Sequence, residues 1–191
     1  GLPVGWVWAR VEQIAKLIQY GTSDKADAEN SGVPVIRMGN IQNGRVSPNN
    51  LKYMPNNWTA NDLLLEIGDV LFNRTNSAEL VGKTAVYKGH PRPATFASYL
   101  IRLQTVSAYL PEFLSTLINS VYGREYIASV VSQQVGQANV NGTKLANMPV
   151  PFPPSDEQRR IIKKLESTLS TVEATEQVID ANLARADRLR Q

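Results

Sequence analysis

The chain has 191 residues, of which 42% are hydrophobic, and this is enough apolar material for one globular core with an appendage. It contains no cysteine and a single histidine, so thiolate catalysis, disulfide bonds and Cys/His zinc sites are excluded. The net charge of +3 falls within residues 1–154, and such a mild basic excess permits a nucleic-acid partner without requiring one. No apolar run approaches the ~18 residues of a membrane helix and no signal peptide is recognisable, so we expect a cytoplasmic protein with no membrane partner.

The first part of the chain predicts a short helix, an exposed loop, a strand and a hairpin turn. The apolar positions that would share one face of the helix are Val11, Ile14, Ala15 and Ile18. Residues 21–32 are polar and short of bulky side chains, which is typical of a loop. Residues 33–38 predict a strand, and Asn43 followed by Gly44 predicts a hairpin turn because both residue types tolerate a positive φ.

The middle of the chain predicts strands separated by polar loops, after an irregular stretch at residues 47–61. The predicted strands are residues 70–72, 83–87 and 95–106. In the last of these, Ile101 and Leu103 would face one side of a sheet while Arg102 and Gln104 face the other.

A predicted helical region follows at residues 111–134, which we expect to break at Gly123, and a polar loop at residues 136–144 comes after it. Four prolines then predict an extended strap, because proline fixes φ and donates no hydrogen bond. They are Pro149, Pro151, Pro153 and Pro154.

A long helix is predicted after the strap. Ser155 with Gln158 three positions later forms a capping box, and no Gly or Pro follows, so residues 155–191 predict a rod of roughly 50 Å. We therefore expect an α+β fold: a globular mixed α/β domain with a twisted β-sheet over residues 1–154, followed by a long coiled-coil helix over residues 155–191.

This helix carries an apolar seam in two columns with a spacing of seven, which is typical of a coiled coil. The columns are Ile162, Leu169, Glu176 and Leu183, and Leu165, Val172, Ile179 and Ala186. A rod of this length would extend beyond a domain whose radius of gyration is roughly 15 Å, so its far half needs another helix. The alternative interpretation is an amphipathic helix packed on its own domain.

Polar loops between the strands carry the candidate binding residues. Their amide, hydroxyl and cationic side chains can read base edges and grip phosphates, although the same residue types also stabilise turns. The candidates are Thr22, Ser23, Lys25, Arg37, Asn40, Asn73, Arg74, Asn76, Ser77, Lys83 and Lys144. Arg74, a cation at a strand end beside amide and hydroxyl residues, is the foremost of them. We find no catalytic constellation around the single histidine, His90, no nucleotide-binding motif and no cofactor requirement.

The order and spacing of several short blocks identify a family. The chain resembles one half of the DNA-specificity subunit of type I restriction–modification systems. The blocks that carry the resemblance are Gly5 and Trp6, residues 20–23, 35–41, 68–77 and 79–83, and residues 150–154 followed by Glu157 and Gln158.

The resemblance implies two target-recognition domains in the whole subunit, each followed by a long helix, with the helices paired antiparallel. Each domain then reads one half of a split sequence in double-stranded DNA. The assembly recruits methyltransferase subunits and often a restriction subunit, and the specificity subunit itself is not a catalyst. A chain with one domain and one helix would pair its helix with a second copy of itself or with the other half of a longer polypeptide. The alternatives are a coiled-coil adaptor whose head binds protein, and an enzyme whose site is unrecognised.

Overall fold

A computed structural model of the chain describes residues 1–28, 31–134 and 137–189. In chain order the strands and helices are β1 (Val7–Arg10), α1 (Val11–Ile14), β2 (Ala15–Tyr20), β3 (Pro34–Ile36), β4 (Ile41–Gln42), β5 (Arg45–Val46), β6 (Lys52–Tyr53), β7 (Val70–Asn73), β8 (Thr75–Asn76), β9 (Thr84–Val86), β10 (Thr95–Phe96), β11 (Leu100–Thr105), α2 (Pro111–Asn119), α3 (Val121–Val130), β12 (Ser132–Gln134), β13 (Gln137–Asn139), α4 (Gly142–Ala146), β14 (Pro149–Phe152) and α5 (Ser155–Leu189). The α+β class and the long C-terminal helix are as predicted, and residues 190 and 191 of the predicted helix lie outside the described residues.

The centre of the domain is a four-stranded antiparallel sheet in the order β2-β11-β7-β9, which we call the central sheet. Its strands alternate in the direction of their side chains, as the pleat requires. Ile101 and Leu103 belong to one apolar cluster and Leu100 to the other, so the predicted alternation along β11 is confirmed.

Helices cover one face of the central sheet. Phe113, Leu114 and Ile118 of α2 and Ile127 of α3 pack there against β7 and β11. The other face is covered by the small sheet β10-β3-β6, whose Ile36 and Phe96 are fully buried. The domain is thus three-layered, with apolar cores on both sides of the central sheet.

The predicted N-terminal helix is wrong beyond its first turn. Only α1 is helical, and residues 15–20 form β2, which pairs along its whole length with β11. Pairing with a central strand fixes the conformation here, because tertiary contacts override a short apolar pattern that fits either period.

Other boundaries also differ from the predictions. Residues 97–99 split the predicted strand 95–106 into β10 and β11, which join different sheets. The helical break lies at Ser120 rather than Gly123, and the Ser120 hydroxyl caps α3 by accepting from the Gly123 amide at 3.4 Å. Gly123 instead permits a close approach, since an added Cβ would lie 2.2 Å from the Ile118 carbonyl oxygen.

The loop predicted from residue 136 contains β13 and α4, and residue 136 itself lies outside the described residues. The hairpin is confirmed, with positive φ at Asn43 and Gly44 joining β4 to β5.

The helix α5 begins where predicted but without the expected capping box. The Gln158 side chain is fully buried and reaches into the domain: its Nε2 donates to the carbonyls of Ala108 and Pro153, both at 2.9 Å, and its Oε1 accepts from the Leu110 amide at 2.8 Å. The indole of Trp6 donates to the Glu157 carboxylate at 2.8 Å. These contacts fix the first turn of α5 to the globular domain.

Beyond its first turns, α5 leaves the domain. Ile162 is buried in the domain core, so this member of the predicted seam is part of the globular domain rather than a free pairing position. Leu169, Leu183 and Ile179 are exposed to 58%, 59% and 52%. The remaining exposed seam residues are Leu165, Val172, Glu176 and Ala186. The alternative of a helix packed along its own domain therefore does not describe this chain.

Candidate nucleic-acid interface

Loops from distant parts of the sequence leave the central sheet at one end. The last residue of β2, Tyr20, lies opposite Ile101, and the last residue of β7, Asn73, lies opposite Leu100. Thr84 begins β9 at this same end. The segments that leave or enter the sheet here are residues 21–23, 74–83 and 97–99.

Two further segments join them. The Ala97 amide donates to the Ile36 carbonyl at 2.9 Å, so Arg37 leaves β3 beside residues 97–99. The Gly142 amide donates to the Tyr20 hydroxyl at 2.6 Å, which brings α4 to the same end. We call the resulting surface the polar face. Its principal side chains are Tyr20, Thr22, Ser23, Arg37, Arg74, Asn76, Ser98 and Asn139.

Arg74 lies at the centre of the polar face and connects four segments. Its guanidinium donates to the Ser98 carbonyl and to the Asn139 side-chain oxygen, each at 3.4 Å, and lies 5.0 Å from the ring centroid of Tyr20. Its Nε is buried without a hydrogen-bond partner among the described residues. The half-buried side chain therefore organises the face while part of its donor capacity stays unused.

The neighbours of Arg74 differ sharply in exposure. Asn73 is fully buried and its amide donates to the Leu80 carbonyl at 3.3 Å, so it anchors the loop that follows rather than presenting a side chain. Asn76 is half-buried, with its Nδ2 3.5 Å from the Met38 sulfur. This contact joins the segment after β7 to the segment after β3, and Ser77 beside it is exposed.

The segment after β2 contains one buried residue that holds its conformation and two exposed candidate residues. Thr22 is 8% exposed; its carbonyl accepts from the Ser98 amide at 2.8 Å and its hydroxyl from the Asp24 amide at 3.0 Å. Ser23 and Lys25 are exposed. Thr22 thus holds the turn that presents its two exposed neighbours.

A wide cleft of about 410 Å³ lies beside this turn. Asp24 and Lys25 form one wall, and Trp58 forms another by donating from its indole to the Asp24 carboxylate at 3.0 Å. The Asp24 carboxylate precedes Lys25 directly in the sequence, and its negative charge partly offsets the positive charge of the Lys25 side chain.

The remaining predicted cations lie at the margins. Lys83 is half-buried, and its carbonyl accepts from the Asn73 amide at 2.9 Å, which keeps it at the end of β9. Lys144, in α4, donates to the Ser132 hydroxyl. Arg37 and Asn40 are part of a separate hydrogen-bonded unit at the edge of the polar face, in which the Arg37 amide donates to the Asn40 side-chain oxygen at 2.9 Å.

Sequence reasoning missed several residues of this surface. Tyr20, Ser98 and Asn139 were not among the candidates, although each contacts Arg74. Trp58, also not a candidate, donates to Asp24 and lines the same cleft as Lys25. Tyr20 adjoins the Gly-Thr-Ser motif of residues 21–23, and this is the signal that could have identified it. Nothing in the local sequence indicates that Asn139 lies beside Arg74, because that contact spans 65 positions.

Asp69 and Tyr109, whose pKa values are raised, lie away from the polar face. Burial raises the pKa of Asp69, and this outweighs the hydrogen bonds and the Arg102 charge that lower it; Asp69 precedes β7 at the opposite end of the central sheet. Burial also raises the pKa of Tyr109, which packs beside Phe113 and Phe152. In the described ranges, no group of three or more His, Cys, Asp or Glu side chains is placed to hold a metal ion. None of the described helices is long and apolar enough to span a membrane.

The family model for the type I restriction modification DNA specificity domain matches residues 3–181. The chain belongs to the type I DNA specificity domain family. A putative specificity subunit of the type I restriction enzyme MjaX from Methanocaldococcus jannaschii is 27% identical over 86% of this chain and 39% of its own length. The specificity subunit of EcoKI from Escherichia coli K12 is 27% identical over 94% of this chain and 39% of its own length.

A solved chain of a type I R-M system has the same fold as this specificity domain. Its TM-score is 0.77 at 21% sequence identity, over 99% of this chain and 44% of that chain. The specificity domain therefore spans about two fifths of the length of the curated relatives. The family prediction made from the sequence blocks is confirmed, and the relatives are named as specificity subunits rather than as catalytic ones.

Proposed function

We propose that this specificity domain recognises one half of a split sequence in double-stranded DNA through its polar face. In this function it is a non-catalytic reader, and methyltransferase subunits docked beside it carry out the chemistry, with a restriction subunit where one is present. The observation that carries the proposal is the convergence of amide, hydroxyl and cationic side chains from five separate segments at one end of the central sheet.

The chemistry of the polar face suits a duplex. Lys25, Lys83 and Lys144 at its margins are placed to contact phosphates, which fix position without reading sequence. The amides and hydroxyls between them are the groups that read base edges. Arg74 acts mainly by holding Tyr20 and Asn139 in place.

The long helix supplies the second half of the proposal. Its exposed seam requires a partner helix, which a second copy or the other half of a longer polypeptide would provide. Two domains held apart by paired helices would read two half-sites separated by a spacer. Two identical copies related by a two-fold axis would read a palindromic split site.

Duplex binding by the 191-residue chain tests the proposal. We expect the affinity for DNA to fall steeply between 50 and 200 mM salt, because phosphate contacts release counterions, with a slope of about −0.9 per neutralised phosphate. Lys25→Gln, Lys83→Gln and Lys144→Gln should each reduce this slope by about one. Fluorescence anisotropy with a labelled duplex measures both quantities.

Lys88→Gln is the matched control, because Lys88 is exposed at the other end of the central sheet and pairs with Glu112. Its salt slope should equal that of the unmodified chain. A chain that binds no duplex at low salt, or whose slope responds equally to Lys88 and to the three polar-face lysines, would refute DNA binding at this surface. That outcome would favour the coiled-coil adaptor.

A further inference from the structure

A small cleft at the edge of the polar face is lined by seven residues, of which four carry amide side chains. It has a volume of about 220 Å³, and its lining residues include Arg37, Gly39, Asn40, Gln42, Asn49 and Asn50. None of the residues that line it is acidic. The volume is below the ~300–1,000 Å³ typical of sites that enclose a small molecule, so the cleft suits the edge of a larger ligand.

Asn40 builds the cleft, and both donors of its side-chain amide are used within the domain. It is 3% exposed, its Nδ2 donates to the carbonyls of Ser47 and Asn49 at 3.0 and 2.8 Å, and its Oδ1 accepts from the Arg37 amide. These bonds join the turn after β3 to the segment after β5. Asn40 is therefore a positioning residue.

Arg37 fixes the opposite wall. Its Nη2 donates to the Asn50 carbonyl at 2.8 Å, and Asn50 has a φ of 54°, in the left-handed region that few non-glycine residues adopt. Asparagine is among the residues that tolerate this conformation. The Arg37 contact thus holds the backbone that presents Asn49 and Asn50, and the buried Arg37 Nε has no hydrogen-bond partner among the described residues.

Three amides remain available. Gln42 is exposed and donates to the Gly39 carbonyl at 2.9 Å, which orients its amide, while its Oε1 accepts no hydrogen bond from the part of the chain that the structure describes. Asn49 and Asn50 are exposed, and their side chains make no hydrogen bond with the described residues. A Cβ added at Gly39 would meet no atom within 4 Å, so the cleft is open to solvent at that point.

We propose that Gln42, Asn49 and Asn50 are base-reading residues of this domain and that they recognise an adenine edge in the major groove. This inference rests on the proposed function. Asparagine and glutamine amides match adenine because they donate to N7 and accept from N6 at once. Three exposed amides without a carboxylate among the lining residues, one of them oriented by its bond to Gly39, therefore favour adenine over the other bases.

Selection from a duplex library with randomised positions tests the assignment, with the 191-residue chain as bait. We expect the unmodified chain to require adenine at one or more positions. Asn50→Asp, Asn49→Asp and Gln42→Glu should each reduce the adenine preference at one such position by about tenfold or more and shift it toward cytosine, because carboxylates accept from cytosine N4. Gly39→Phe should fill the cleft and reduce the same preference, while low-salt binding to random DNA is retained and reports a folded domain.

Asn61→Asp makes the same change at an exposed position outside the cleft and should leave every preference intact. Unchanged adenine preference in all cleft variants, or a selected sequence without a required adenine, would overturn the assignment while leaving DNA recognition in place. A chain that selects no sequence at all would overturn the proposed function together with it.

Discussion

At the scale of single residues, Arg102 is the clearest case of a charge used for structure. It is 4% exposed and donates to the carbonyls of Leu64 and Asp62, both at 2.7 Å, while Asp69 lies 3.4 Å away. Its guanidinium also packs over the ring of Phe96 at 5.4 Å. The side chain pins residues 61–66 onto the outer face of the central sheet, where the sequence pattern predicts only that a polar residue faces away from Ile101.

Replacing Arg102 with methionine should lower the free energy of unfolding by about 3–5 kcal/mol, because the buried Asp69 carboxylate would lose its charged partner. Urea denaturation measures the change. Arg159→Met removes an exposed partner of Asp156 and should cost no more than about 0.5 kcal/mol. Equal effects of the two substitutions would show that the buried pair has no special role.

The same variant should show a defined pH dependence. Burial already raises the pKa of Asp69, so its folded state favours the protonated acid and loses stability as the pH rises through that pKa. Loss of the Arg102 charge raises this pKa further. The deficit of Arg102→Met should therefore be larger at pH 7 than at pH 4, and the opposite order would contradict this account.

The residue types in the sequence predict the chemistry of the polar face, but they do not predict which of its side chains are exposed. Asn73, Arg74 and Asn76 stand within four positions and were all candidates from the sequence, with Arg74 the foremost, yet Asn73 is fully buried while Arg74 and Asn76 are half-buried. Strand register decides which of them faces the core, and register depends on β11, whose paired residues lie 27 to 33 positions away. Local sequence therefore could not distinguish scaffold from surface here.

At the scale of elements, the first turn of α5 shows what a short sequence motif can and cannot predict. Ser155 and Gln158 correctly predict the start of the helix, but the Gln158 amide satisfies groups of the 108–110 segment instead of closing a capping box. β2 is the reverse case, since its apolar residues fit a helix until pairing with β11 is known. Non-local backbone partners account for both differences.

Replacing Gln158 with methionine should lower the free energy of unfolding by about 2–4 kcal/mol, because the Leu110 amide and the Pro153 carbonyl would lose their buried partner. Gln177→Met makes the same change at an exposed position of α5 and should stay within about 0.5 kcal/mol of the unmodified chain. Thermal unfolding of both variants measures the difference.

The orientation of α5 relative to the globular domain should also be less well fixed in Gln158→Met. The chain has no native cysteine, so spin labels at Lys88→Cys and Glu166→Cys report the orientation of α5 relative to the domain without background. We expect a broader distance distribution in Gln158→Met than in Gln177→Met. Identical distributions would show that the Trp6–Glu157 contact and the core contact of Ile162 suffice to hold the helix.

At the scale of the whole molecule, the domain and its helix place different demands on the surroundings. The domain, together with the first turns of α5, buries apolar cores on both faces of the central sheet. The helix beyond Ile162 presents a column of large apolar side chains to solvent over several turns, and a soluble monomer gains nothing from such a stripe. Pairing with a second helix would bury the column and, under the proposed function, set the distance between two DNA-recognition domains.

Leu169→Glu combined with Leu183→Glu should therefore abolish self-association of the chain, since each leucine removed from a paired seam forfeits roughly 1.5–3 kcal/mol. Sedimentation equilibrium over a range of concentrations measures this loss. Val178→Glu is the matched control, because Val178 is 60% exposed on the same helix but lies outside both seam columns, and it should associate like the unmodified chain. An unmodified chain that stays monomeric at all concentrations would refute pairing between copies, and equal weakening by all three glutamates would locate the contact on another face of the helix.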